Sequence, residues 1–109
     1  MCGIAGFTSF HRKLGDEATL TGMGQAMAHR GPDAQGSYLD QGVGLHHRRL
    51  AIIDLNAASN QPMRYDDGRY QIVFNGEIYN FLELKKELQE QGFTFVTQSD
   101  TEVILALYQ

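Results

Sequence analysis

A turn constrains this chain more than any other feature. Asp40-Gln41-Gly42 lies between two short strand-like runs, residues 37–39 and 43–45, and a glycine-containing loop of that length predicts a β-hairpin. Hairpins join antiparallel neighbours, whereas parallel strands need a long crossover. Asp66-Asp67-Gly68 marks a second turn, with a strand expected over 70–74. Residues 2–7 alternate small and apolar side chains with two glycines, which reads as a buried strand close to other backbone. Residues 49–55 form a strongly apolar strand candidate running into a loop over 56–62, and residues 93–96 again have strand character.

Helix signals are interleaved with these strands. Asp16 is the expected N-cap of a helix carrying Leu20, Met23 and Met27 at helical spacing, with Gly31 past its end and Pro32 as a stop. Asn80 and Glu83 have capping-box spacing and open a helix with Phe81, Leu84 and Leu88 on one face and Gly92 at its end. Ser99 and Glu102 repeat that spacing before the apolar run 103–108. Several strands joined by hairpins, with two or three helices and no regular strand–helix alternation, predict an α+β fold with antiparallel sheets.

The chain has 109 residues, enough for one small domain, and its 42% hydrophobic and 20% charged composition is ordinary for a globular protein. Its net charge is −4, and the only basic concentration is His46-His47-Arg48-Arg49. Nucleic acid and anionic membrane are therefore poor partners. Apolar runs such as 103–107 are too short to span a bilayer, and the first ten residues lack a signal peptide's basic start and apolar core. One cysteine forms no internal disulfide, and a lone thiol fits a reducing, cytoplasmic compartment. The four histidines have no metal-ligand spacing, so no metal is expected; His46 and His47 should face opposite sides of a strand. Because the sequence stops inside an apolar run, the chain is expected to be a piece of a longer protein.

Cys2 is the first candidate for chemistry. Most free cysteines are small buried hydrophobes. This one becomes N-terminal if Met1 is removed, and its thiol then sits beside a free amine whose pKa is about 7.7–8.0. One residue would supply nucleophile and base together, and Gly3 would let substrate and backbone approach closely. Asn75-Gly76 is an ordinary turn pair, yet Ile78-Tyr79-Asn80 leads into a helix rather than a pairing strand. The Asn amide and the Gly N–H side by side meet the requirement for an oxyanion hole. Arg49 offers either a structural salt bridge or a two-pronged grip on a substrate carboxylate. Asp100 follows Ser99 at a helix start, where helix capping competes with a functional role, and for Glu77 the competing reading is a solvated loop carboxylate.

Six stretches taken together resemble a known family: Met1-Cys2-Gly3-Ile4-Ala5-Gly6-Phe7, His29-Arg30-Gly31-Pro32-Asp33, the run from His47 through Arg49-Leu50-Ala51-Ile52-Ile53-Asp54 to Leu55, Gln61-Pro62-Met63, Phe74-Asn75-Gly76-Glu77-Ile78-Tyr79-Asn80-Phe81, and Ser99-Asp100-Thr101-Glu102-Val103. The chain resembles the class II, N-terminal nucleophile, glutamine amidotransferase domain of asparagine synthetases. That resemblance implies a four-layer α/β/β/α sandwich with antiparallel sheets, incomplete in this chain, which would be the N-terminal portion of the domain. It implies Cys2 as nucleophile, Asn75 and Gly76 as oxyanion hole, Arg49 on the glutamine α-carboxylate, and Glu77 and Asp100 on its α-amino group. Backbone groups of Leu50, Ala51, Ile52 and Ile53 would add glutamine contacts. The glutaminase step would need no cofactor. ATP and Mg would act only in a synthetase domain of the same polypeptide, absent here, with aspartate as the expected ammonia acceptor; another acceptor, or a truncated non-catalytic module, are the alternatives. A homodimer of the intact protein is left open. Sibling amidotransferases that make phosphoribosylamine or glucosamine phosphate carry different neighbours around their Arg and Asn-Gly motifs, and the similar β-lactam synthetases lack the cysteine. His46 departs from the small residue often found in the family.

Overall fold

The turn at residues 41–42 does what its glycine implies: Gly42 takes a φ of 82°, a region closed to most side chains. It joins strands β2 (Ala34–Asp40) and β3 (Val43–Arg49), longer than the runs that signal them, in antiparallel register from Asp40↔Val43 to Ala34↔Arg49. Strand β1 (Gly3–Thr8) pairs with the other edge of β3, from Gly3↔Arg48 to Thr8↔Val43, so β3 is central in a three-stranded sheet ordered β1-β3-β2. The computed structural model describes residues 1–8, 17–52 and 54–109; the expected cap at Asp16 lies outside them.

The alternation of β3 sorts its side chains between two faces. One face receives helix α1 (Glu17–Ala26). There the Arg48 Nε donates to the Gly24 carbonyl at 2.9 Å, and the His46 ring lies where a Cβ on Gly24 would stand. The helix approaches this closely because position 24 has no side chain. On the opposite face His47 and Arg49 point toward the second half of the chain, as the neighbouring histidines' opposite facing requires.

That second half is built on a short hairpin, β4 (Met63–Tyr65) and β5 (Tyr70–Ile72), with left-handed φ angles at Asp66, Asp67 and Gly68 in its turn. Helices α2 (Phe81–Glu90) and α3 (Asp100–Tyr108) pack on each other, and α3 also packs on β4 and β5. Their core is Leu88, Val103 and Ala106, flanked by Tyr65, Phe81, Leu84, Phe93 and Phe95. Helix α2 ends in a Schellman motif. Gly92 takes a φ of 98°, its N–H bonds Gln89 O, and the Phe93 N–H bonds Leu88 O. The hydrophobic contact that accompanies the motif is Phe93 on the Leu88 cluster. The architecture is α+β with antiparallel sheets. Among the described residues, no helix is long and apolar enough to cross a membrane, and no three His, Cys, Asp or Glu side chains are grouped to hold a metal ion.

Several expected elements are corrected. The strand expected over 49–55 ends at Arg49. Beyond it the Leu50 N–H donates to the Cys2 sulfur and the Ala51 N–H to Asp33 Oδ2, so side chains take the donors a ladder would need. Ile52 and Leu55, apolar as they are, stay 66% and 78% exposed. Residues 93–96 form no strand either, because Glu102 accepts from the N–H groups of both Val96 and Thr97. The strand expected over 70–74 stops at Ile72, and Phe74 N–H turns to Gln61 Oε1 instead. Asn80 occupies the N-cap of α2 without a side-chain capping bond, so no capping box forms with Glu83. Ser99 does cap α3, accepting from Thr101 N–H, but Glu102 reaches back to 96–97 rather than to Ser99.

Candidate active site

The cleft-facing side of β3, the irregular segments after β3 and β5, and the first turn of α3 enclose a cavity of about 410 Å³. Cys2 enters it from the start of β1, one residue before the Gly3↔Arg48 pair. The Leu50 N–H donates to its sulfur at 3.3 Å, and the thiol lies 3.6 Å from Leu50 O. Arg30 Nε donates to Cys2 O at 3.1 Å, holding the residue from the α1 side. Met1 also lines the cavity and is 73% exposed, so its removal would leave a free amine beside the thiol without disturbing a core.

Arg49 and Asp100 give the cleft its electrostatic character. Arg49 is only 8% exposed, and its Nη1 donates to two neutral acceptors, Asn56 O at 2.9 Å and Asn60 Oδ1 at 2.6 Å. Asp100 is 5% exposed, and its Oδ2 accepts from Ile78 N–H at 2.9 Å. Among the described residues, neither has an oppositely charged side chain within 4.0 Å. A guanidinium and a carboxylate thus line one cavity without pairing with each other, and a zwitterion would meet both.

Asp54 builds the scaffold behind the cation. It accepts from Asn56 N–H at 2.9 Å, Ser59 Oγ at 2.6 Å and, across the cleft wall, Gln98 N–H at 2.8 Å. The Ser59 hydroxyl above all, then the two backbone N–H groups and the nearby Arg49 charge, hold its carboxyl down to about 2. The short 3₁₀ turn at Ala57–Ser59 is fixed this way, and with it the two acceptors that grip Arg49. The link to Gln98 also ties this scaffold to the segment that carries Asp100.

Asn75 and Gly76 line the cavity in an irregular stretch between β5 and α2, not in a hairpin. A Cβ at Gly76 would come within 2.7 Å of the Phe74 ring, so the bend is fitted to glycine. Phe74 is held on both sides: its N–H donates to Gln61 Oε1 at 2.6 Å, and its carbonyl accepts from His47 Nε2 at 3.3 Å. A carbonyl only accepts, so Nε2 carries the His47 proton, and the buried Nδ1 has no partner. Burial, partly offset by the Phe74 bond, pushes the His47 pKa down, with the Arg49 and His46 charges adding to the effect.

A family model of the glutamine amidotransferase domain matches residues 1–109, the whole chain. The chain belongs to the glutamine amidotransferase family. Among curated relatives it is 46% identical to glutamine-hydrolysing asparagine synthetase 1 of Bacillus subtilis over all of this chain and 18% of that protein. It is 42% identical to glutamine-hydrolysing asparagine synthetase 2 of the same organism, over all of this chain and 15% of that protein. To the protein named amidase chry2 of Gibberella zeae it is 38% identical, again over the whole chain and 18% of the relative. The chain thus spans less than a fifth of the length of these relatives.

In this amidotransferase domain the cavity gathers Cys2, Arg49, Leu50, Ile52, Asn75, Gly76, Glu77 and Asp100 from segments far apart in sequence. Ala51 does not line it, its N–H being held by Asp33, and Ile53 lies outside the described residues. Sequence reasoning missed His47, Asp54, Ser59, Gln61 and Thr101, all of which line it too. One signal was available for His47, which shares the parity of Arg49 on β3. Gln61 and Asp54 carried no such signal, because each acts from a loop whose conformation no periodicity encodes.

Proposed function

We propose that this domain hydrolyses glutamine to glutamate and ammonia, with Cys2 as nucleophile after removal of Met1. The observation that carries the reading is the placing of two buried, oppositely charged side chains, Arg49 and Asp100, not paired with each other, in the cavity that also holds Cys2. Arg49 takes the α-carboxylate with its remaining N–H groups, and Asp100 with Glu77 takes the α-ammonium. The free end of the substrate, its carboxamide, is then the part left for Cys2. The Leu50 N–H, 3.3 Å from the sulfur, holds Cys2 in place at the cavity.

The Cys2 thiolate adds to the carboxamide carbon, and the carbonyl electrons move onto oxygen. The Asn75 amide and Gly76 N–H stabilise that oxyanion, a contribution worth about 10²–10³-fold in rate per donor. As the oxyanion collapses, the C–N bond breaks and the Cys2 α-ammonium delivers the proton that lets ammonia leave. The amine then deprotonates a water that attacks the thioester, releasing glutamate and restoring the thiolate. No cofactor enters these steps. The fold that suits them is the N-terminal nucleophile sandwich of four α/β/β/α layers, of which the two antiparallel sheets here are a part.

The ammonia goes to an acceptor activated with ATP and Mg in a further, synthetase domain of the same polypeptide, and aspartate is the acceptor that the names of the first two relatives favour. Cys2→Ala in the intact protein tests the reading. Glutamine-dependent turnover is expected to vanish while synthesis from free ammonia persists. Equal loss of both would make Cys2 structural.

A further inference from the structure

Strand β5 ends at Ile72, so the stretch from Phe74 to Gly76 has no ladder to orient it. Two side chains do that work instead. Gln61 is 8% exposed, and its carboxamide is used at both ends: Oε1 accepts from Phe74 N–H at 2.6 Å, and Nε2 donates to Thr101 Oγ1 at 3.2 Å. His47, from the central strand, donates to the carbonyl of the same Phe74. The peptide units before and after Phe74 are therefore both pinned, and Asn75 follows directly. Gln61 is itself locked in place, because its backbone carbonyl lies against Gly36 of β2 where any Cβ would overlap it. At its far end Thr101 is only 2% exposed and adjoins Asp100.

We propose that Gln61 is the positioning residue of the oxyanion hole, its carboxamide tying Phe74 to Thr101 so that the Asn75 amide and Gly76 N–H are fixed in the cleft they share with Cys2. This rests on the reading of Asn75 and Gly76 as oxyanion donors. The stabilisation such donors give depends on their being preorganised, and displacement of a reacting geometry by about 1 Å costs on the order of 10²-fold. Gln61 also joins the donors to the start of α3, so the group that holds the substrate amine and the groups that hold the oxyanion share one rigid frame.

The test is a double-mutant cycle in the intact protein, following glutamate release. Gln61→Met keeps the volume and removes both hydrogen bonds; kcat is expected to fall about 10–100-fold, with KM for glutamine changed less than about threefold. Thr101→Val cuts only the far anchor and is expected to lower kcat to a smaller extent in the same direction, which keeps the test decisive if Gln61→Met folds poorly. Combined with Asn75→Ala, Gln61→Met is expected to cost clearly less than the product of the two single losses, since one of the two donors it positions is already gone. Losses that multiply would mean that Gln61 is merely structural, as would an unchanged kcat in both Gln61→Met and Thr101→Val beside a slow Asn75→Ala. An unchanged kcat in Asn75→Ala would overturn the oxyanion reading itself.

Discussion

Replacing Arg49 by lysine is the sharpest probe of the substrate clamp. Among the described residues the guanidinium is anchored through Nη1, by Asn56 O and Asn60 Oδ1, so Nε and Nη2 are left to meet both oxygens of a carboxylate. Lysine keeps the charge and has three donors on one nitrogen, but it cannot hold two loop acceptors and two carboxylate oxygens in one plane. The loss is at least one charge-assisted hydrogen bond, about 1.5–3 kcal/mol, which at about 1.4 kcal/mol per decade corresponds to a KM for glutamine raised roughly 10–150-fold. In the proposed pose the grip on the α-carboxylate would be remote from the reacting carbon and equal in ground and transition states, so kcat should stay within about threefold. Initial rates of glutamate release across a wide glutamine range separate the two constants. A normal KM, or a loss confined to kcat, would refute the assignment of Arg49 to the carboxylate.

The other expectations concern the oxyanion hole, processing, acid stability and the α1 contact. Asn75→Ala should lower glutaminase kcat by about 10²–10³-fold with little change in KM, and a normal kcat would return Asn75-Gly76 to the status of a bend. Active protein should have lost Met1, which intact mass reads directly; full activity with Met1 retained would exclude the Cys2 amine as base. Folded-state pKa values below the ordinary ones mean that the unfolded chain binds more protons, so stability is present at higher pH and lost on acidification. His46 and His47 place a first loss below their ordinary 6.5, and Asp54 a second between 3.8 and about 2. Asp54→Asn should remove that second step from a plot of Tm against pH; an unaltered step would assign it elsewhere. Gly24→Ala drives a methyl into the buried His46 ring and should cost about 1–3 kcal/mol in denaturant unfolding, and a wild-type midpoint would mean that α1 can shift freely.

The parts of the fold legible in the sequence are those where backbone pairs with backbone. The β2–β3 hairpin follows from Asp40-Gln41-Gly42, the end of α2 from Gly92, and the opposite facing of His46 and His47 from strand parity alone. Leu50-Ala51-Ile52 reads as a strand by every compositional rule, yet it is not one, because apolarity does not reveal that Cys2 and Asp33 will take the N–H groups of Leu50 and Ala51. Phe93-Thr94-Phe95-Val96 misleads for the same reason, through Glu102. The capping boxes fail in a related way. Glu102 has the right spacing from Ser99 but finds three better donors, the N–H groups of Val96 and Thr97 and the Thr97 hydroxyl.

The two ladder breaks, after Arg49 and after Ile72, lie at the cleft, and the cause is physical. A ladder aims each backbone N–H and C=O at the next strand, leaving none to meet a ligand. A site that presents N–H groups to a sulfur or an oxyanion has to interrupt the ladder, as the chain does after Arg49 and after Ile72. Interrupted backbone in a half-buried setting must have its other polar groups satisfied by side chains. Asp33, Asp54, Gln61, Asp100 and Glu102 supply those partners from positions 5 to 44 residues away. Such residues are polar and have no periodicity, so pattern reading passes over them while it finds Cys2, Arg49 and Asn75 through their own chemistry. The same accounting explains why Asp54 matters beyond the contacts it makes. Its three bonds join the loop that grips Arg49 to the segment that starts α3, so the two ends of the proposed zwitterion clamp are tied to each other through one carboxylate.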